Sequence, residues 1–363
     1  WAREHRIGTA ITASTGIAAT HIGGITIHSW CGIGIRDHLT EHDLEKLAAK
    51  KDLQKRFNQT KILIIDEVSM LSSTFFDNLN QICKYLKENE LPFGGLQVIL
   101  CGDLFQLPPI NRTGRALQMV VHSEAWKESK PAICYLKEQH RQNDSDDLIT
   151  ILNNIRAGEA KQADIKRLNE RILSDLPSEI KGILAPTKLY SHNADVDLIN
   201  EVELSKLTTK QKTYLTAKEG KRVLIESLLK SCLAPEELNL KIGAEVMFIK
   251  NDQSGRYANG TRGIVINFSK DGGWPIVQTL DERIVVVEQD SWSVQDEKGQ
   301  VLASIEQIPL RLAWAITIHK SQGMSLDAAF INLGKVFEYG MGYVALSRVR
   351  SIDGLYLEEF NEM

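Results

Sequence analysis

The 363-residue sequence predicts an α/β protein of two lobes, with a small all-β module inserted in the second. Three observations carry that prediction. Short apolar runs alternate with amphipathic helical patterns near the start and again near the end, as in parallel sheets covered on both faces. Between about Leu240 and Ser304, strand-like runs follow one another with no helical pattern between them. The length also leaves room for more than one domain, at roughly 100–200 residues each.

The first lobe is read over residues 1–142. IGTAITAS reads as a strand, KILIIDE as a buried strand, SSTFFDNLNQICKYLKEN as an amphipathic helix and LQVILCGD as another buried strand. Ligands of such sheets sit at the carboxyl ends of the strands. Asp66 and Asp103 both stand there, so their loops are expected to face one cleft. The second lobe begins over residues 143–239, with helices through DLITILNNIRAGE, ADIKRLNERILSDL and NADVDLINEVELSKL and a strand at GILAPT. In the module, residues 240–304, the runs AEVMFIKN, TRGIVINFS, PIVQTL, RIVVVEQ and VLASIEQI are separated by turns such as Asn259-Gly260 and Asp271-Gly272-Gly273. That pattern predicts a small β-barrel. Over residues 305–363 the α/β pattern resumes: a helix through AWAITIHKSQ, a strand at AAFINL, a helix through VALSRVRS and a strand at GLYL.

With 43% apolar and 25% charged residues the chain has the composition of a globular protein with real cores, which excludes a disordered or fibrous class. A net charge of −4 gives no global basicity, but a local groove of Lys and Arg is enough to follow a phosphate backbone. The five cysteines are scattered and lack CxxC spacing, so they read as free thiols, not as staples or a zinc site. No apolar run approaches the ~18 residues of a membrane span. The expectation is a soluble, intracellular chain with no membrane partner, and Trp1 in place of Met suggests a fragment.

Four sequence features point to chemistry. An apolar strand ending in Asp66-Glu67 is what a nucleotide hydrolase needs to hold Mg²⁺ and orient an attacking water, because a rigid strand fixes the carboxylate's distance from the γ-phosphate. GDLFQLPP adds Asp103 and Gln106; an amide can donate to a phosphate oxygen and accept from a water at once, and Pro108-Pro109 stiffens its loop. Arg141 and Arg348 are arginines that could reach a transferring phosphoryl group, although each taken singly is an ordinary surface charge. The runs ITASTGIAATHIGGITIHSW and AITIHKSQGMS supply small and hydroxyl residues (Thr12, Thr15, Gly16, Ser29, Ser321) that let a phosphate backbone approach, with His28, His319 and Lys320 as donors. Singly, the histidines read equally as polar residues at helix starts.

Taken in order, TASTGIAA, GGITIHSW, IIDEVSM, PFGGLQVILCGDLFQLPP, EQHRQ, LRLAWAITIHKSQGMS and YVALSRVRS resemble the PIF helicases, relatives of RecD within helicase superfamily one. The resemblance runs from Ile11 to about Tyr356. It implies two RecA-like P-loop NTPase lobes with ATP held between them, single-stranded DNA across their top, and 5′→3′ movement used in genome maintenance on forked or structured DNA. By motif match, Asp66 would bind the metal, Glu67 would activate the water and Gln106 would sense the γ-phosphate. Arg141 and Arg348 would close on the phosphate, with Gly323 at the nucleotide. Thr15, Gly16, His28, Ser29, His319 and Lys320 would line the DNA path, and the inserted module would be a barrel of the Src-homology type. The cofactors implied are ATP and Mg²⁺.

One departure stands out. No G-x-x-x-x-G-K-[ST] string occurs anywhere in the sequence, so the backbone amides, lysine and hydroxyl that cradle the phosphates are not supplied. The expectation is a truncated helicase that by itself binds ATP poorly and hydrolyses it slowly. Two rivals stay open: an ATP-independent single-strand-binding relative, and a RecD-like subunit of a larger machine. The retained acidic, amide and arginine set argues against the first. The second lacks any nuclease carboxylate cluster or relaxase Tyr–His site here, and PFGGLQ fits the PIF pattern better.

Overall fold

The computed structural model describes residues 2, 4–33, 39–109, 118–136, 138, 147–173, 185–191, 193–232, 234–252, 254–257, 259–295, 300–333 and 340–359. The chain divides into two compact units, Trp1–Leu136 and Lys137–Met363.

In the first unit the elements run β1 (Thr9–Ala13), α1 (Gly16–His21), β2 (Ile25–Thr26), α2 (Ile27–Cys31), α3 (Glu41–Ala48), α4 (Lys51–Gln59), β3 (Ile62–Asp66), α5 (Ser73–Lys87), β4 (Gln97–Leu100) and α6 (Glu124–Ser129). The strands form one parallel sheet in the order β2-β1-β3-β4. Leu63 and Ile65, alternating along β3, are fully buried. The Ser72 hydroxyl starts α5 by accepting from the Phe75 N–H at 3.2 Å, and Phe76, Leu79, Cys83 and Leu86 then recur at helical spacing into the core. Phe76 meets the Phe93 ring at 5.0 Å, and burying such a side chain stabilises the unit by about 1.5–3 kcal/mol. PFGG belongs to this packing. Gly94 has φ 62°, and a Cβ there would lie 2.5 Å from the Cys83 carbonyl oxygen, so only glycine lets the turn close onto α5.

In the second unit the elements run α7 (Asp147–Ala157), α8 (Gln162–Asn169), β5 (Thr187–Tyr190), α9 (Asn193–Lys206), β6 (Lys212–Leu215), β7 (Ala217–Gly220), α10 (Arg222–Ser231), β8 (Glu237–Leu240), β9 (Glu245–Phe248), β10 (Arg262–Phe268), β11 (Pro275–Thr279), β12 (Ile284–Val286), β13 (Asp290–Gln295), β14 (Val301–Gln307), β15 (Leu310–Leu312), β16 (Ala315–Thr317), β17 (Ala329–Asn332), α11 (Met341–Ser347) and β18 (Leu355–Glu359). A parallel sheet, β16-β5-β17-β18, carries the α/β part. Asn200 on α9 locks the helix to it, its amide donating to the Ala315 carbonyl at 3.0 Å and accepting from the Ala315 N–H at 3.1 Å.

The two-lobe α/β prediction agrees with this architecture, and three expectations need correction. The inserted module is all-β but not a closed barrel among the described residues. It is an open antiparallel sheet, β12-β11-β10-β9-β15, while β13 and β14 pair with β7 instead. Closure would require β12 to pair with β15, and each is only three residues long. Second, AWAITIHKSQ is not a helix: Ala315–Thr317 is a strand and Ile318–Gly323 a tight turn. A short buried apolar run reads alike as helix or strand by periodicity, and here parallel pairing with β5 decides it. Third, the strand expected at GILAPT begins only at Thr187 and runs through Tyr190; residues 174–184 lie outside the described set. All five cysteines are free, and no described helix is long and apolar enough to cross a membrane.

Candidate functional site

In the first unit the four parallel strands deliver the predicted residues to one edge. Asp66 closes β3 and pairs in register with Ala13, the last residue of β1; the Ser14 N–H donates to the Asp66 carbonyl at 3.1 Å. Thr15 and Gly16 therefore start α1 directly beside the Asp66 loop, with the Thr15 hydroxyl accepting from the Ala18 N–H at 3.2 Å. On the other flank β4 brings in GDLFQLPP. The Cys101 N–H donates to the Ile65 carbonyl at 2.9 Å, and the Val68 N–H donates back to the Cys101 carbonyl at 3.0 Å. The two acidic loops are thus stitched together by backbone hydrogen bonds. Gly102 makes the close approach possible: a Cβ there would stand 2.9 Å from the Val68 nitrogen.

Glu67 adopts the left-handed conformation, φ 52° and ψ 47°, which costs a non-glycine residue of order 1–3 kcal/mol and is commonly kept at functional sites. The turn reverses the chain at the strand end. Asp103 organises its own loop, Oδ1 accepting from the Phe105 N–H at 3.1 Å while its carbonyl accepts from the Gln106 N–H at 3.0 Å. The Gln106 amide lies 3.5 Å from Asp103 Oδ2, a weak contact that holds it loosely, and the fully buried Leu107 anchors the loop behind it.

His28 and Ser29 follow β2 at the same edge. Thr26 caps α2, accepting from the Ser29 N–H at 3.3 Å and donating to the Ser29 hydroxyl at 2.8 Å. The His28 ring packs on Phe75 at 4.1 Å, so its flat face is partly used in packing. Thr12 is fully buried with its hydroxyl donating to the Ile64 carbonyl at 2.7 Å, which makes it structural, not a phosphate contact. The sequence reading missed the cations near Ser29: Lys50, Lys51 and Arg56 line a pocket of about 390 Å³ with it, and Arg56 Nη1 donates to the Ser29 and Trp30 carbonyls at 3.2 and 2.8 Å. Their only sequence signal was a Lys-rich helix start.

In the second unit His319, Lys320 and Gly323 share the turn after β16. The Lys320 N–H donates to Thr317 Oγ1 at 3.3 Å, and Gly323, φ 78°, completes the reversal. Ser321 is fully buried and donates to the Ile318 carbonyl at 2.8 Å, so it too is structural. Burial holds the Lys320 ammonium below its usual pKa, Arg311 adds to that, and Asp197 opposes it. Arg311 lies within the LRLAWAITIHKSQGMS run itself, whereas nothing in the sequence marked Asp197 as a neighbour of the motif. Arg348 caps α11 and is 1% exposed; Nε donates to the Val344 carbonyl at 3.0 Å and Nη2 to the Ser347 hydroxyl at 2.8 Å. Taken singly it read as an ordinary surface charge, and the structure buries it instead. Arg141 lies outside the described residues.

A strand-end carboxylate with solvent access fits Mg²⁺, which keeps several waters and takes further ligands from substrate phosphates. Asp66, the partly exposed last residue of β3, is such a group.

Two family models match the chain: PIF1-like helicase over residues 2–166, and the DNA helicase Pif1 2B domain over residues 223–268. The ATP-dependent DNA helicase Pif1 of a Psychrobacter species is 42% identical over 99% of the chain. The crystal structure of the Pif1 helicase from Candida albicans superposes with a TM-score of 0.76 at 36% identity, covering 99% of this chain and 86% of that one. The Bacteroides Pif1 helicase solved with ADP-AlF3 and single-stranded DNA matches at a TM-score of 0.61 and 29% identity, over 98% of this chain and 83% of that one. The chain spans 63% of the length of the Psychrobacter relative and 49–55% of the eukaryotic curated relatives.

Proposed function

Because this chain belongs to the PIF1-like helicase family, we propose that the full-length protein is an ATP-dependent DNA helicase that moves 5′→3′ along single-stranded DNA and separates the duplex ahead of it. The observation that carries the reading is the convergence of Asp66-Glu67, Asp103, Gln106 and the Thr15 and Ser29 loops on one sheet edge. A relative solved with ADP-AlF3 and single-stranded DNA supports both ligands. The substrates are single strands and forked or structured DNA, in repair, recombination, and telomere or G-rich processing.

In this mechanism Asp66 would hold Mg²⁺, whose charge would offset that of the nucleotide phosphates. Glu67 accepts the proton of the attacking water. Gln106 orients that water against the γ-phosphate, using the donor and acceptor of one amide. Arg348 and Arg141 supply positive charge where the transition state spreads negative charge. The Thr15, Gly16, Ser29, His319 and Lys320 loops follow the DNA backbone, with His28 beside them, and the cations around Ser29 add the charge that the whole chain lacks.

The test is strand separation with ATP on duplexes carrying a 5′ or a 3′ single-stranded tail. Unwinding of the 5′-tailed duplex alone is expected; unwinding only from the 3′ tail refutes the polarity.

A further inference from the structure

The segment Met324–Asp327, just past the Gly323 turn, is gripped from two directions. On one side stands the antiparallel module. Gly260, φ 90°, brings its turn so close that a Cβ would lie 3.3 Å from the Ser325 carbonyl oxygen and 3.5 Å from Met324 Cβ. Two residues on, Arg262 begins β10 and is 1% exposed. Its Nη2 donates to Glu245 Oε2 at 2.7 Å, while Nε and Nη1 have no hydrogen-bond partner among the described residues. Burial lowers its pKa, and the carboxylates of Glu245 and Asp327 oppose that fall.

On the other side stands the segment that carries Arg348. The Leu326 N–H donates to the Arg348 carbonyl at 2.8 Å, and the Arg350 N–H donates to the Leu326 carbonyl at 3.0 Å. Arg350 Nη1 reaches Asp327 Oδ1 at 2.9 Å. Gly354 lies so close behind that a Cβ there would be 2.1 Å from the Asp327 carbonyl oxygen.

A buried guanidinium with two idle donors is poor scaffolding. Each unsatisfied donor costs about 1–3 kcal/mol, and an apolar side chain often serves stability as well or better at such a place. The turn just before Arg262 packs, at Gly260, on Met324 and Ser325, and Arg350 holds the Asp327 carboxylate two residues further on. We propose that Arg262 and Asp327 are positioning residues: through them and the Leu326 bridge, the antiparallel module sets where Arg348 stands. The proposal rests on the role given above to Arg348 in phosphoryl transfer. It makes the hydrolysis rate depend on the placement of a module far from Arg348 in sequence.

The experiment uses the full-length protein with Arg262→Met, Arg262→Lys, Asp327→Asn, Arg348→Ala and the Arg262→Met/Arg348→Ala double variant. For each, kcat and KM of DNA-stimulated ATP hydrolysis and Kd for a fluorescent oligo(dT) are measured. Arg262→Met is expected to lower kcat by about tenfold while KM and Kd stay within about twofold, with Arg262→Lys recovering part of the loss. The double variant should be no slower than Arg348→Ala. Unchanged kcat, an equal loss of DNA affinity, or additive losses in the double variant each overturn the proposal. Should Arg262→Met fail to fold, Asp327→Asn, at a side chain 34% exposed, carries the same test with the same expected loss. A slow Arg348→Ala beside a normal Arg262→Met sinks this proposal alone, whereas a normal Arg348→Ala removes the reading beneath it.

Discussion

Replacing Glu67 by glutamine in the full-length protein should leave ATP binding largely intact and lower turnover by about 10²–10⁴-fold, the range typical of losing a general base. The amide keeps the size and shape of the carboxylate but cannot take the water's proton. The backbone there is fixed independently of the side chain, by the left-handed turn at Glu67 and by the Val68–Cys101 hydrogen bond at 3.0 Å, so the variant should fold with its loop in place. Nucleotide affinity measured with a fluorescent ATP analogue, beside single-turnover hydrolysis, separates binding from chemistry. Turnover within a few-fold of the parent would mean that Glu67 is not the base.

Arg348→Ala should have a comparable or larger effect on rate, about 10³–10⁵-fold, with little change in DNA affinity. Its guanidinium is packed in its own helix end, donating to Val344 and Ser347, so it is held in a set geometry instead of searching through solvent. Lysine should rescue poorly, since an ammonium cannot reproduce the planar fork. Removing these bonds also exposes the Val344 carbonyl and Ser347 hydroxyl to imperfect pairing, so a modest stability loss should accompany the rate loss. Equal losses of rate and DNA affinity would reassign Arg348 as a DNA contact.

The parts legible in the sequence were those set by local pattern. KILIIDE announced both β3 and the place of Asp66 and Glu67, because a buried strand can end only where polar residues take over. SSTFFDNLNQICKYLKEN announced α5 through its amphipathic spacing, and the structure adds the Ser72 cap. What stayed hidden depends on tertiary pairing. AWAITIHKSQ became a strand and a turn because β5 lies beside it. The expected barrel stayed open because β13 and β14 took β7 as their partner. Thr12 and Ser321 looked like phosphate contacts as letters, yet their hydroxyls are spent on Ile64 and Ile318. The ties of Arg262 to Glu245 and of Lys320 to Asp197 join residues distant in sequence, which no local pattern could reveal.

ATP hydrolysis by the full-length protein, measured with and without single-stranded DNA, puts the motor assignment at greatest risk. Turnover is expected to rise sharply when DNA is added. A full-length protein that binds single strands but hydrolyses ATP neither with nor without them would contradict it, and would leave a DNA-binding relative that has lost the motor.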